Sequence, residues 1–137
     1  MLQTEELIRQ AVEAMLRAYA PYSGFKVGAA LLAKNGSVYQ GCNIENAAYT
    51  PSNCAERTAF FKAVSEGVKE FEAICIVGGK DGVLSGFTAP CGVCRQVMTE
   101  FCDPAEFKVI LADSLEHYEI FTLAELFPMG FGPADLA

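Results

Sequence analysis

Helical and strand patterns alternate along this sequence, and their order limits the folds that the chain can adopt. Apolar residues recur at helical spacing from Leu7 to Leu16, with Thr4 as the predicted N-cap and Pro21 as the predicted stop. Later patterns predict strands at 26–34, 37–42, 71–77, 107–111 and 118–121, and helices at 54–66, 92–101 and 123–127. The resulting order, αββαβαββα, predicts an α/β fold with a mixed sheet and helices on both faces. No repeat or linker divides the sequence, so a single domain spanning 1–137 is expected.

Glycines mark two connections between these elements. Asn35-Gly36 is a strong hairpin signal between the first two strands. The stretch Gly78–Gly82 is rich in glycine, but it lacks the full spacing and the Lys-Ser/Thr ending of a phosphate-binding loop. It is therefore predicted to be a plain loop.

The charge and hydropathy of the chain exclude several classes of partner. Ten basic residues against 17 acidic residues give a net charge of −7, which disfavours binding to the phosphates of long nucleic acids. No apolar run reaches the roughly 18–20 residues that span a bilayer, and the acidic residues near the N-terminus do not fit a signal peptide. A cytoplasmic protein without nucleic-acid or membrane partners is therefore expected. Its apolar content of 52% is slightly high for a small monomer, which favours some burial of surface between subunits.

Six cysteines in a reducing compartment make metal binding the first interpretation to test. Cys91 and Cys94 have the two-residue gap that lets two thiolates bind one ion, and Cys54 precedes them. Cys54 and Cys91 both stand at the start of predicted helices, where the helix dipole favours the thiolate that a metal requires. Three such ligands would leave the fourth position on zinc for water, as in catalytic sites.

Two alternatives to a catalytic metal site remain open at this point. Buried cysteines are commonly simple core residues, and this interpretation is given to Cys42, Cys75 and Cys102, which lie in or beside apolar segments. One of those three, or His117, would instead complete a closed structural zinc site if it supplied a fourth ligand.

Glu56 lies two residues after Cys54 and supports two interpretations. Asn53 and Glu56 have the spacing of a capping box, in which Asn53 is the N-cap. Beside an open zinc position, the same carboxylate is placed to take a proton from the water that zinc activates. Arg57 is either a surface arginine or a donor of hydrogen bonds that offset the negative charge of three thiolates.

Four blocks of the sequence resemble the small, homotetrameric cytidine deaminases. The two central blocks are Cys-Ala-Glu-Arg-Thr-Ala at 54–59 and Pro-Cys-Gly-Val-Cys-Arg-Gln at 90–96, and the other two lie at 21–30 and 41–49. The similarity extends from about Pro21 to Leu136. It implies a three-layer α/β/α sandwich around a five-stranded mixed sheet. It also implies one zinc ion per chain, held by Cys54, Cys91 and Cys94.

The resemblance also implies roles for residues of the substrate pocket. Asn43 and Glu45 would bind the ribose, chiefly its 3′-hydroxyl, and Phe25 would flank the pyrimidine ring. Ala55 would read the edge of the base through its backbone, while Glu56 contacts N3 and the amino group.

Two further residues are implied to act between subunits of a homotetramer. Tyr49 and Phe131 would reach in from neighbouring chains, so that each active site is shared. The segment Phe127-Pro128-Met129-Gly130-Phe131 departs from the usual leucine-rich tail of the family, and Ala89 stands where serine is common. The change in the tail at 127–131 bears on the role given to Phe131.

The activity implied is the hydrolytic deamination of cytidine and 2′-deoxycytidine to uridine and 2′-deoxyuridine plus ammonia, a step of pyrimidine salvage. The activated water would attack C4 of cytosine, and Glu56 would pass protons to N3 and to the leaving amino group. Within the same chemistry, a modified cytosine nucleoside such as blasticidin S is the alternative substrate. A nucleic-acid-editing deaminase is disfavoured by the net charge, and a structural zinc module would require a fourth protein ligand.

Overall fold

A five-stranded mixed sheet organises residues 3–137, the part of the chain that the computed structural model describes. The strands are β1 (Phe25–Ala33), β2 (Val38–Cys42), β3 (Phe71–Lys80), β4 (Lys108–Ala112) and β5 (Tyr118–Thr122), in the spatial order β2-β1-β3-β4-β5. β3 and β4 are parallel, and the other neighbouring strands are antiparallel. The helices are α1 (Thr4–Met15), α2 (Ala55–Ser65), α3 (Gly92–Phe101) and α4 (Leu123–Leu126), followed by a 3₁₀ turn at Pro133–Leu136. Within residues 3–137, no helix has the length and apolar character needed to cross a bilayer.

Two apolar cores lie on opposite faces of this sheet. On one face α1 contributes Leu7 to a core that includes Cys75 of β3. On the other face, α2 and α3 contribute Phe60 and Met98 to a core that includes Ile76 of β3. Neighbouring residues of β3 enter different cores because side chains alternate along a strand. The predicted three-layer α/β/α arrangement is confirmed.

Two glycines of the sheet allow helices to approach it closely. A Cβ atom at Gly28 in β1 would lie 2.0 Å from the carbonyl oxygen of Ala11 in α1. A Cβ atom at Gly41 in β2 would lie 2.3 Å from the carbonyl oxygen of Ala55 and 2.5 Å from the nitrogen of Ala59, both in α2. The absence of a side chain at Gly41 therefore sets the distance between the sheet and the first turn of α2.

The structure corrects the predicted ends of two helices. α1 is capped at Gln3 rather than Thr4, and it ends at Met15, well before Pro21, because the following segment turns so that Tyr19 can pair with Ile44. α2 is capped by Cys54 rather than Asn53. Asn53 pairs with Ile44 through its backbone and with Thr58 through its side chain, so the capping box that was the alternative role of Glu56 does not form.

The glycine-rich stretch is the other correction. Gly78, Gly79 and Lys80 prolong β3 instead of forming a loop, because they pair with residues 25–27 of β1. The turn is confined to the residues that follow, and Asp81 and Gly82 both have positive φ. The predicted hairpin between β1 and β2 is confirmed, with Gly36 at φ +93°.

Candidate active site

Three cysteine sulfurs converge where two helices begin. Cys54 and Cys91 are the N-caps of α2 and α3, and Cys94 lies in the first turn of α3. The Sγ atom of Cys91 lies 3.6 Å from that of Cys54 and 3.5 Å from that of Cys94, and all three sulfurs are within 4.8 Å of one another. In the described part of the chain, this is the single group of three or more His, Cys, Asp or Glu side chains close enough to share a metal ion.

The spacing of these sulfurs fits a tetrahedral zinc ion. With Zn–S bonds near 2.3 Å, two thiolates on one zinc lie about 3.8 Å apart. The backbone N–H of Cys94 donates to the sulfur of Cys91 at 3.5 Å. A hydrogen bond to Cys54 and burial raise the pKa of the Cys94 thiol. Hydrogen bonds from Cys94 and from Arg57 hold the pKa of the Cys54 thiol well below its usual range.

The remaining cysteines and the single histidine lie apart from this cluster. Burial raises the pKa of the Cys75 and Cys102 thiols to about 12, which is the behaviour of inert core cysteines. Cys42 ends β2, and the Nδ1 atom of His117 lies 2.7 Å from a carboxylate oxygen of Asp113. Within residues 3–137 the cluster therefore offers three protein ligands, which matches the open site and not the closed one.

Glu56 is a buried carboxylate next to the sulfur cluster. It lies in the first turn of α2, is 4% exposed, and contributes to the wall of the adjoining pocket. Burial raises the pKa of its carboxyl group to about 7. Because α2 is capped by Cys54, the alternative role of Glu56 in a capping box is removed.

Arg57 contacts the cluster from the next position of α2. Its Nη2 atom donates a hydrogen bond to the sulfur of Cys54 at 3.3 Å. Its Nε atom is buried and has no hydrogen-bond partner in the described part of the chain. A buried donor without a partner is costly, so this guanidinium is suited to a site where the neighbouring sulfurs carry negative charge.

A pocket of about 320 Å³ adjoins the cluster, within the size range of small-molecule sites. Its wall brings together side chains from separate segments, including Cys54, Ala55, Glu56, Arg57, Cys91, Asn43 and Glu45. The close approach of α2 to Gly41 places the first turn of α2 against the sheet at this point. The structure therefore collects most of the predicted site residues in one cavity.

Asn43 is held in the pocket wall by the backbone at the start of β1, and Glu45 by the backbone of the turn before it. The side-chain oxygen of Asn43 accepts from the nitrogen of Val27 at 2.9 Å, and its amide nitrogen donates to the carbonyl of Phe25 at 2.8 Å. The carboxylate of Glu45 accepts from the nitrogens of Tyr22 and Ser23 at 2.9 and 3.1 Å. Both polar groups therefore have fixed positions before any ligand arrives.

Three of the predicted substrate contacts lie outside the wall of this pocket. Phe25 begins β1 and is 40% exposed, while Tyr49 is 75% exposed and makes an edge contact with Tyr22. Phe131 is 56% exposed, and its carbonyl oxygen accepts from the side chain of Gln96. A single chain thus leaves Tyr49 and Phe131 more than half exposed, and Phe25 partly exposed.

The structure adds residues to which the sequence patterns assign no role in the site. Thr88 and Ala89, shortly before Cys91, contribute to the pocket wall, although in the sequence Ala89 stands out only as a departure from the family pattern. Ser23 donates its hydroxyl hydrogen to the carboxylate of Glu45, although the two residues are distant in sequence. Thr88 and Ala89 lie just before the metal ligand Cys91 in the sequence, so their place in the pocket could have been predicted. The contact of Ser23 with Glu45 depends on the fold.

Comparison with known proteins agrees with this site. The family model for the zinc-binding region of cytidine and deoxycytidylate deaminases matches residues 1–110. The chain is 49% identical over 136 residues to a cytidine deaminase from Sporosarcina psychrophila, covering 99% of this chain and 96% of the relative. It is 47% identical to a cytidine deaminase from Halalkalibacterium halodurans, covering 98% of each chain. The crystal structure of cytidine deaminase from Burkholderia pseudomallei superposes with a TM-score of 0.86 at 45% identity, covering 95% of this chain and 100% of that one.

Proposed function

This chain belongs to the cytidine deaminase family, and we propose that it hydrolyses cytidine and 2′-deoxycytidine to the corresponding uracil nucleosides and ammonia. The observation that carries this function is the meeting of three cysteine sulfurs with the buried carboxylate of Glu56 in one pocket. Cys54, Cys91 and Cys94 hold the cofactor, which is zinc.

Zinc, when bound, makes a water molecule nucleophilic at neutral pH and so supplies the attacking group for C4 of the cytosine ring. Glu56 moves the protons. It accepts one from the attacking water and delivers it to N3 of the base. It then takes the second proton of that water, from the hydroxyl now bonded to C4, and gives it to the amino group as the C4–N bond breaks and ammonia leaves. Its burial keeps bulk water from competing as a proton donor, and its place on the first turn of α2 keeps it within reach of the ligand Cys54.

Arg57 adjusts the charge of the metal site. Three thiolates on a divalent ion leave a net negative charge, which weakens the ion as an electrophile. The hydrogen bond from Arg57 to Cys54 withdraws part of that charge, and the unpaired Nε of Arg57 is a further donor for the same purpose. Arg57 therefore acts through the metal ligands.

The pocket wall distributes the contacts to the nucleoside. Asn43 and Glu45 bind the ribose, and the backbone of Ala55 reads the edge of the base beside Glu56. Phe25 flanks the pyrimidine ring. Asn43 and Glu45 suit this task because hydrogen bonds to the start of β1 and to the turn before it fix their orientation.

The active sites are completed by assembly into a homotetramer. Tyr49 and Phe131 are exposed and lie outside the pocket of their own chain, as expected for side chains that serve a neighbouring subunit. The rings of Tyr22 and Tyr49 meet edge to face with 6.5 Å between their centroids, and both side chains are exposed beside Glu45. Exposed apolar surface beside a ligand pocket is typical of an interface. We place the enzyme in the cytoplasm, in the salvage of pyrimidine nucleosides.

The decisive experiment measures ammonia release from a panel of cytosine nucleosides and nucleotides, with bound zinc counted in the same preparation. We expect turnover of cytidine and 2′-deoxycytidine, with one zinc ion per chain. Release of ammonia from blasticidin S but not from cytidine would replace the proposed substrate. A zinc-loaded protein inactive on every cytosine nucleoside would overturn the proposed function.

A further inference from the structure

The turn that precedes β1 surrounds the carboxylate of Glu45 with hydrogen-bond donors. One carboxylate oxygen accepts from the backbone nitrogens of Tyr22 and Ser23, at 2.9 and 3.1 Å. The other oxygen accepts from the hydroxyl of Ser23. That hydroxyl in turn accepts from the nitrogen of Phe25 at 2.9 Å, so its single hydrogen is directed to Glu45. These bonds also hold the pKa of Glu45 below its usual range.

With these contacts made, the carboxylate of Glu45 can accept few further hydrogen bonds. An ionised carboxylate offers about four lone-pair sites. The turn takes both sites of one oxygen and one site of the other, and Glu45 also contributes to the wall of the catalytic pocket. One acceptor position therefore remains for a ligand, and it suits a single hydroxyl donor.

The end of β3 holds this turn from the other side. The Nζ atom of Lys80 donates to the carbonyl oxygen of Ser23 at 2.6 Å, across 57 positions of sequence. The backbone nitrogen of Asp81 donates to the carbonyl oxygen of Gly24 at 2.6 Å. Gly24 has φ +70°, and a Cβ atom there would lie 3.1 Å from the Lys80 Nζ, so the two segments are closely packed. The stretch with glycines at 78 and 79 thus brings a lysine and a backbone amide onto the turn.

We propose that Ser23 and Lys80 are positioning residues, which orient Glu45 so that its one free acceptor site binds a single ribose hydroxyl, the 3′-hydroxyl. This inference rests on the proposed contact of Glu45 with the nucleoside. Ser23 acts directly on the carboxylate, and Lys80 acts one step further away by holding the carbonyl of Ser23. Neither residue touches the reacting atoms.

The test compares cytidine with 3′-deoxycytidine, which lacks the hydroxyl that Glu45 would bind. Ser23→Ala removes one donor and lets the carboxylate rotate, so KM for cytidine should rise about tenfold with kcat within about twofold. For 3′-deoxycytidine, Ser23→Ala should change kcat/KM by less than about twofold, because this substrate lacks the 3′-hydroxyl and has no contact with Glu45 to lose. Ser23→Thr keeps the hydroxyl and should restore most of the affinity. Lys80→Met should show the same pattern with a smaller rise in KM.

Ser65→Ala is the matched control, because among residues 3–137 the hydroxyl of Ser65 bonds only the carbonyl of Lys62, at the far end of α2. Zinc content and the midpoint of urea unfolding are measured for every variant. Suppose that the parent and Ser65→Ala deaminate cytidine. If Ser23→Ala then lowers kcat/KM equally for cytidine and 3′-deoxycytidine, or for neither, the positioning role is refuted while the proposed function stands. If Ser23→Ala does not fold, the same comparison with Lys80→Met decides. If the parent and the control are both inactive on cytidine, the proposed function itself fails, and this inference fails with it.

Discussion

The contact between Gly41 and α2 gives a direct way to move the catalytic residues without replacing one of them. In Gly41→Ala the new Cβ atom would lie 2.3 Å from the carbonyl oxygen of Ala55 and 2.5 Å from the nitrogen of Ala59. Both atoms belong to helix backbone, so α2 must move away by about 1 Å to restore ordinary contact near 3.4 Å. Cys54 and Glu56 are carried on this end of α2 and move with it.

The expected effect has a stability component and a catalytic component. Overpacking of this kind destabilises proteins by about 1–3 kcal/mol. A misplacement of about 1 Å in an active site can lower activity on the order of 10²-fold. We therefore expect Gly41→Ala to fold with a lower urea midpoint and to lose about 10²-fold in kcat/KM for cytidine.

Two other glycines provide matched controls for this measurement. Gly28→Ala places a Cβ atom 2.0 Å from the carbonyl oxygen of Ala11, but it displaces α1 on the opposite face of the sheet. It should lower the urea midpoint by a similar amount while kcat/KM falls much less. In Gly92→Ala, beside the metal ligand Cys91, the new Cβ atom would meet no atom within 4 Å beyond its chain neighbours and its own helix backbone in the described part of the chain, so neither quantity should change strongly.

The assay is ammonia release from cytidine, combined with metal analysis and urea unfolding of the three variants. The reasoning is refuted if Gly41→Ala keeps parental kcat/KM while its stability falls as in Gly28→Ala. It is equally refuted if both variants lose activity in proportion to stability. Either result would show that the distance between β2 and α2 does not set the geometry of the site.

Three further predictions address the metal, the proton carrier and the assembly. Cys91→Ala should lose most of its zinc in metal analysis, while Cys42→Ala, at the end of β2, should keep it; full zinc in Cys91→Ala would contradict the ligand assignment. Glu56→Gln preserves the volume of the side chain but not its ability to carry protons, so zinc should be retained while kcat for cytidine falls at least about 10²-fold. A parental kcat in that variant would remove Glu56 from the mechanism. Phe131→Ala should raise KM for cytidine about tenfold at unchanged zinc content, since aromatic stacking on a base contributes about 1–3 kcal/mol. Sedimentation of the parent at micromolar concentration should show a tetramer, and a fully active monomer would contradict the shared site.

The parts of the fold that follow from local pattern were accessible from the sequence. The five strands and the three long helices are where the periodicity of apolar residues places them, within a few residues. The grouping of Cys54, Cys91 and Cys94 was also predictable, because two short sequence motifs both mark the starts of helices. Local pattern sufficed for the helices and strands, whereas the grouping of Cys54 with Cys91, 37 positions away, also drew on the resemblance to the deaminase family.

Other features depend on partners that are distant in sequence. Gly78 to Lys80 have the composition of a loop but form part of β3, because residues 25–27 of β1 supply their hydrogen bonds. Asn53 is of a residue type that is favoured at N-caps, but it pairs with Ile44, and Cys54 occupies the N-cap position of α2 instead. The support of Glu45 by Ser23 consists partly of backbone donors, which carry no signature of residue type.

The convergence of the cysteines also ties the metal to the integrity of the chain. Cys54 and Cys91 are separated by 37 positions, so an ion bound to both closes a long loop much as a covalent cross-link would. Metal that binds only the folded state adds its binding free energy to that of folding. Chelation should therefore lower the melting temperature as well as abolish turnover. Under zinc shortage, newly made chains would be lost to unfolding and proteolysis instead of persisting as an inactive reserve, so the amount of this enzyme in the cell would follow the supply of its metal.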